Sequence, residues 1–284
     1  RFPMEKYDLL PEQLVYEGTL EAYHFYEPGL LTEAQVLTTH SPGYWEKLCQ
    51  GTLSPREIRR TGFPYSPRLL TRGLSIARGT LENARYALAH RSIGLNIAGG
   101  THHAFADRGE GFCLLNDIAL AANILLAEGT VRQILIVDLD VHQGNGTAAI
   151  FRHDTRVFTF SIHGAHNYPL HKEQSDLDLP LPDGTGDQVY LEQLKKNLPP
   201  LLDQVQPDLV FYLAGVDVLA SDRLGRLALS PQGVREREAF VLGLCHRHRL
   251  PVAVSLGGGY SPQVRDIIEA HAHVFRLARL LWDQ

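Results

Sequence analysis

The chain has 284 residues, 44% hydrophobic and 21% charged, which is ample for a large buried core and ordinary for a globular protein. A net charge of −5 and the lack of any apolar run near the roughly 18 residues of a membrane span give no ground for a nucleic-acid partner or a membrane span. Three scattered cysteines, Cys49, Cys113 and Cys245, form no C-x-x-C pair, which argues against a disulfide framework or a thiolate metal knuckle and suits a reducing cytoplasm.

The first 60 residues carry weak signals, and helical pieces are expected around "EKYDLLPEQL" and "TEAQVLTTH". Between 72 and 90, Leu74, Ala77, Leu81, Ala84 and Leu88 recur at steps of three and four, as on one face of a helix. Five short runs bounded by Gly, Pro or polar residues read as strands: 93–100, 132–140, 156–163, 208–217 and 251–260. They are continuously apolar rather than alternating, as strands covered on both faces are. Residues 165–187, rich in Pro, Gly and Asp, read as a long loop with a turn at Asp183-Gly184. Near the end, Ile267, Ala270, Val274, Leu277 and Leu281 repeat the helical spacing. Strands alternating with helices predict one α/β domain over residues 1–284, with a parallel sheet and helices on both faces.

Each of the five strands ends in chemistry: "GGTHHAFADRGEGF", "DLDVHQGNG", "SIHG", "AGVD" and "LGGGY". Ligands of open parallel sheets bind outside the carboxyl ends of the strands, so these groups should converge on one crevice. In "DLDVH", Asp138, Asp140 and His142 project to one side of an extended chain, because its side-chain period is two. Taken alone, the pattern also fits a helix-capping Asp beside a satisfied core histidine. Asp217, a further carboxylate at a strand end, tips the balance toward a divalent cation, since clustered carboxylates in an apolar setting need one. Asp140, His142 and Asp217 are the expected ligands, with Asp138 behind them. Oxygen ligands with one nitrogen leave zinc, iron(II) or manganese open. Three protein ligands and an open position would form a hydrolytic site, with the pKa of bound water lowered to roughly 7.

The 14 histidines are many for this length, and the doublet His102-His103 follows two glycines at the catalytic edge. One imidazole there can take a proton from water and return it to a leaving amine, while the other, held by a carboxylate, stays charged. "LGGGY" is open to two plainer readings, a close-packed turn or a phosphate-binding nest. No Walker-type G-x-x-x-x-G-K-[ST] is present, and Tyr260 past a Gly run fits an oxyanion donor better.

Together, "GGTHHAFADRGEGFCLLND", "DLDVHQGNG", "SIH", "AGVD" and "GGGY", in this order and spacing, resemble the histone deacetylase superfamily over residues 60–262, and more loosely before. "FPMEKY", "RGEGF" (108–112) and "AGVDVLASDRLGRLALS" (214–230) are most similar to class IV members and their bacterial relatives. The resemblance implies an arginase/deacetylase-type α/β domain with a mainly parallel, eight-stranded sheet. It implies a zinc hydrolase acting on acylated lysine in a peptide or protein, or on a small acylated amine, with Fe2+ as the alternative metal. Family roles fall on Asp140, His142 and Asp217 (zinc), His103 (general base and acid), His102 (electrostatic partner), Asp138 (orienting His102) and Tyr260 (polarising the carbonyl). Gly111, Phe112, Tyr168, Leu224 and Gly258 fall against the substrate. A structural K+ would involve Asp138, Asp140, His142, Ser161 and Ile162, and an outer one Phe151, Asp154 and Val157.

Two departures bear on function. Asn145 stands where class I members carry Asp, which would leave His103 less often protonated, as suits a base. Leu224 stands where acetylpolyamine deacetylases carry a Glu gatekeeper, so a polyamine loses its charge partner. Leu224 and the small Ala165 are compatible with long acyl chains. The remaining alternatives are an acetylpolyamine or other small-molecule amidohydrolase, and a metal-bound acyl-lysine reader without turnover.

Overall fold

The computed structural model describes residues 3–283; Phe2, the first residue of "FPMEKY", lies outside that range. Six parallel strands form one sheet: β1 (Ile93–Asn96), β2 (Ile134–Asp138), β3 (Val157–Gly164), β4 (Leu177–Leu181), β5 (Leu209–Leu213) and β6 (Val252–Ser255), ordered β1-β6-β5-β2-β3-β4. The expected eight strands are thus six among the described residues. A second correction concerns β4, which falls inside the stretch read as loop. Its "LDLPL" alternates instead of running apolar, only Leu181 of its five residues is buried, and it lies at the sheet edge, where a proline costs no ladder bond.

Ten α-helices surround the sheet: α1 (Lys6–Tyr16), α2 (Glu33–Val36), α3 (Pro42–Gln50), α4 (Pro55–Thr61), α5 (Pro67–His90), α6 (Asp117–Ala127), α7 (Asn145–Phe151), α8 (Asp187–Val205), α9 (Pro231–Arg247) and α10 (Val264–Trp282) among the described residues. The helical spacings read at 72–90 and near the end lie in α5 and α10. α3, α4, α5 and α9 each begin at a Ser-Pro pair, with the serine hydroxyl of Ser41, Ser54, Ser66 or Ser230 accepting a backbone N–H. Proline at the first helical position loses no hydrogen bond and presets φ, so the dipeptide is a start signal.

Successive strand residues feed opposite cores. Leu135, Val137, Val210, Tyr212, Val252 and Val254 pack with Leu194 and Leu198 of α8, Val241 of α9 and Val274 of α10. Ile134, Ile136, Leu209, Phe211 and Ala253 pack with Leu81 of α5 and Ile118 and Leu125 of α6. Full burial of each large aliphatic contributes about 1.5–3 kcal/mol, so two covered faces explain the continuous apolar runs. Because all six strands point the same way, their carboxyl ends share one edge. The chain leaving β2 there is held from below: Nη1 of Arg237, fully buried, donates to the Leu139 carbonyl at 3.0 Å. Arg237 also pairs with Glu238, which accepts from the Tyr212 hydroxyl.

Candidate metal centre and active site

At the end of β2 the chain turns through Asp140 and His142, while Asp217 follows β5. Val141 donates its N–H to Oδ1 of Asp217 at 3.0 Å, which ties the two strand ends together. Nδ1 of His142 lies 2.9 Å from Oδ1 of Asp140 and 3.2 Å from Oδ2 of Asp217. The three residues are buried, and one ligand atom from each lies within 4.8 Å of the others. Oδ2 of Asp217 is buried and accepts no hydrogen bond. Burial, then the charge of Asp140, raises the pKa of Asp217 to about 7. Two buried carboxylates facing one imidazole, one oxygen of them unsatisfied, fit a cation with mixed N and O ligands such as zinc.

The histidine doublet is fixed through its backbone. Asp117, at the start of α6, accepts from the N–H of Thr101 at 2.7 Å and of Gly100 at 3.2 Å. Thr147 donates its N–H to the His102 carbonyl at 3.1 Å, and Asn116 Nδ2 donates to the Ala104 carbonyl at 3.0 Å. The two rings then differ in partner: Nδ1 of His102 is 2.7 Å from Oδ2 of Asp138, whereas Nδ1 of His103 is 2.7 Å from Oδ1 of Asn145. Burial opposes charge on His102, but Asp138 and then Asp140 outweigh it and raise its pKa to about 9. For His103, burial and then the neighbouring His102 and His142 act together, and its pKa falls well below the usual imidazole value.

Tyr260 closes the same space from the β6 side. Its N–H donates to Oδ2 of Asp222 at 2.6 Å, and Oδ1 of Asp222 accepts from Leu224 and Gly225, both at 2.8 Å. Burial, then Asp217 and Asp140, hold the phenol well above its usual pKa, so it remains a donor. Gly258 has φ +65°, and a Cβ there would meet the Asp217 carboxylate at 2.4 Å, so only glycine lets this loop approach the ligand.

A cavity of about 510 Å3 joins these groups; His102, His103, Asp140, His142, Asp217 and Tyr260 line it. So do Gly111, Phe112, Tyr168, Leu224 and Gly258, every residue expected against a substrate. Tyr168 and Leu224 are exposed at 38% and 46%, which places them at the rim. Ala165 is not among the lining residues; its N–H donates to Leu181. Of the residues expected around potassium, Asp138 and Ser161 are register partners across β2 and β3. In the outer set, the Asp154 carboxylate is taken by Arg156, at 2.6 and 2.8 Å.

The sequence of residues 1–275 matches the histone deacetylase domain. The chain belongs to the histone deacetylase family. It is 47% identical over 279 residues to an uncharacterised protein of Picosynechococcus sp., covering 98% of this chain and 93% of that protein. It is 30% identical over 268 residues to histone deacetylase 2 of Arabidopsis thaliana, covering 91% and 69%. The crystal structure of an HDAC homologue from Aquifex aeolicus superposes with a TM-score of 0.81 at 23% identity, covering 94% of this chain and 76% of that one.

Several groups that shape this site are not singled out by the sequence alone. Asp117 and Asp222 clamp the two active-site loops, Lys6 donates to the Gly258 carbonyl from the start of α1, and Glu110 binds Asn145. Single acids and lysines on irregular segments carry no periodic signal. Only the folded chain brings them to the loops they hold.

Proposed function

We propose that this chain is a zinc-dependent deacylase that hydrolyses the amide of acylated lysine to a free amine and a carboxylate. The carrying observation is the Asp140–His142–Asp217 cluster, with its unsatisfied Asp217 oxygen, in the wall of a cavity shared with His102, His103 and Tyr260. Asp140, His142 and Asp217 would hold the metal, which supplies Lewis acidity toward a water and the amide carbonyl. His103, neutral at physiological pH, takes the proton of the attacking water and later passes one to the leaving amine. His102, kept cationic by Asp138, offsets negative charge as it develops, and the Tyr260 hydroxyl donates to the carbonyl oxygen. Phe112 and Tyr168 flank the aliphatic stem of the lysine, with Gly111, Leu224 and Gly258 completing the wall.

The rim favours acyl-lysine over an acylated polyamine. Leu224 stands at the cavity rim in place of a gatekeeping carboxylate, so a polycation finds no charge partner at that position. Cavity size is compatible with acyl chains longer than acetyl. We further propose a structural K+ held by Asp138, Asp140, His142, Ser161 and Ile162, and, from the class IV-like stretches and free buried thiols of Cys113 and Cys245, a cytoplasmic class IV-type enzyme.

The test is a panel of acetyl-, octanoyl- and myristoyl-lysine peptides beside acetylated polyamines, assayed with zinc-loaded and chelator-stripped protein. Release from at least one peptide, abolished by the chelator and restored by zinc, is expected. Turnover of polyamines alone, or turnover insensitive to metal removal, would overturn the reading.

A further inference from the structure

The carboxylate of Glu110 touches neither the cluster of metal-ligating residues nor the cavity, yet it is the hub of the contacts behind His103. Its backbone is held in the "RGEGF" turn by reciprocal bonds with Cys113, at 2.9 and 2.8 Å. Oε1 accepts from Nδ2 of Asn145 at 3.1 Å and from the Tyr168 hydroxyl. Oε2 faces Nε of Arg108 at 3.6 Å and Nε of Arg60 at 4.0 Å, with the side chain only 14% exposed.

These contacts decide a proton position. A primary amide has a donating end and an accepting end, and an ionised carboxylate only accepts. Glu110 therefore takes the NH2 end of Asn145, and the Oδ1 end must face His103, where it lies 2.7 Å from Nδ1. An oxygen acceptor at that distance requires hydrogen on Nδ1, which leaves Nε2 with its lone pair free. The reversed amide would set oxygen against carboxylate and place NH2 against Nδ1, which favours the other tautomer, unable to take a proton at Nε2. The same carboxylate oxygen anchors Tyr168, whose ring stands edge-on to His103 at 5.0 Å and 88°.

We infer that Glu110 is a positioning residue that sets the orientation of the Asn145 amide and, through it, the Nδ1–H tautomer of His103. A neutral amide lies between carboxylate and imidazole, and two guanidinium groups flank the carboxylate, so Glu110 acts through hydrogen-bond direction. The catalytic part of this inference rests on His103 being the base in the proposed reaction; the tautomer itself does not.

The experiment compares wild type with Glu110→Ala, Glu110→Leu and Glu110→Gln in zinc-loaded protein. Tautomers are read from two-bond 1H–15N spectra of labelled histidines, with His103 assigned by difference against His103→Gln. Wild type should show His103 as the Nδ1–H form alone. Ala and Leu, which offer no acceptor, should mix the tautomers and lower kcat about tenfold to a hundredfold, and KM should rise as well because Tyr168 loses its anchor. Gln, which keeps an acceptor oxygen, should restore all three. The leucine variant fills the volume and serves if alanine does not fold. A pure Nδ1–H signal in the Ala or Leu variant, or a Gln variant that behaves like them, would overturn the inference. Tautomers that respond as expected in a protein with no deacylase activity would instead overturn the proposed function and leave the role of Glu110 standing.

Discussion

His102 and His103 are chain neighbours with ring centroids 4.1 Å apart, yet the first is bonded to a carboxylate and the second to an amide. Burial disfavours charge on both rings, but Asp138 and then Asp140 outweigh it and raise the pKa of His102 to about 9, whereas for His103 burial is joined by the neighbouring His102 and His142 and its pKa lies well below the ordinary value. Two imidazoles in one cavity thus hold a standing charge and a vacant proton site at the same pH.

Tyr260 is held at its backbone by Asp222 and kept protonated by burial, so its hydroxyl should act on the developing oxyanion. Tyr260→Phe is expected to lower kcat about a hundredfold to a thousandfold, as loss of one such donor does, with metal content unchanged. Steady-state kinetics beside metal analysis checks this, and unaltered kcat would remove the phenol from the reaction.

Asp217 combines complete burial with an oxygen that accepts no hydrogen bond and faces the His142 imidazole at 3.2 Å. Asp217→Asn should lose stoichiometric zinc while remaining folded, because the neutral amide relieves repulsion with Asp140. Zinc should raise the Tm of the stripped wild-type protein by mass action and leave the variant unmoved. Equal zinc-induced shifts in both proteins would exclude Asp217 as a ligand.

Arg237 and Glu238 are both fully buried, and Arg237 also supports the Leu139 carbonyl under the metal-binding turn. Arg237→Met strands a buried carboxylate, and urea unfolding should show a loss of about 3–5 kcal/mol. The double variant Arg237→Met/Glu238→Gln should recover part of that loss; a double variant no better than the single one would point to the Leu139 contact as the whole effect.

Glu17 caps the end of α1 and clasps Arg276 of α10 at 2.8 and 2.6 Å. Its hydrogen bonds to Arg276 are the main reason its pKa falls from 4.5 to about 2. A carboxylate depressed by folding adds stability above its unfolded pKa, and that contribution fades as pH drops through the folded value. The Tm advantage of wild type over Glu17→Gln should therefore be full near neutrality, shrink below about pH 4.5 and be largely gone near about pH 2. Much of the group is in solvent, so the advantage is small, and one constant from neutrality to acid would contradict the pairing.

Residue type and spacing alone determined much of this protein. Five continuously apolar runs required strands buried on both faces, their common direction required one reactive edge, and "DLDVH" with Asp217 placed two carboxylates and an imidazole there. The tertiary structure alone decided the edge strand β4, whose alternating, half-buried "LDLPL" carries a weaker signal than the core strands, and the count of six strands in place of eight. It also decided which partner each histidine meets. Asp138, Asn145, Glu110 and Asp222 act across tens of residues of chain, through hydrogen bonds whose direction depends on how segments pack. No local period encodes that direction, so the reactive groups were legible in sequence and their protonation was set by the fold.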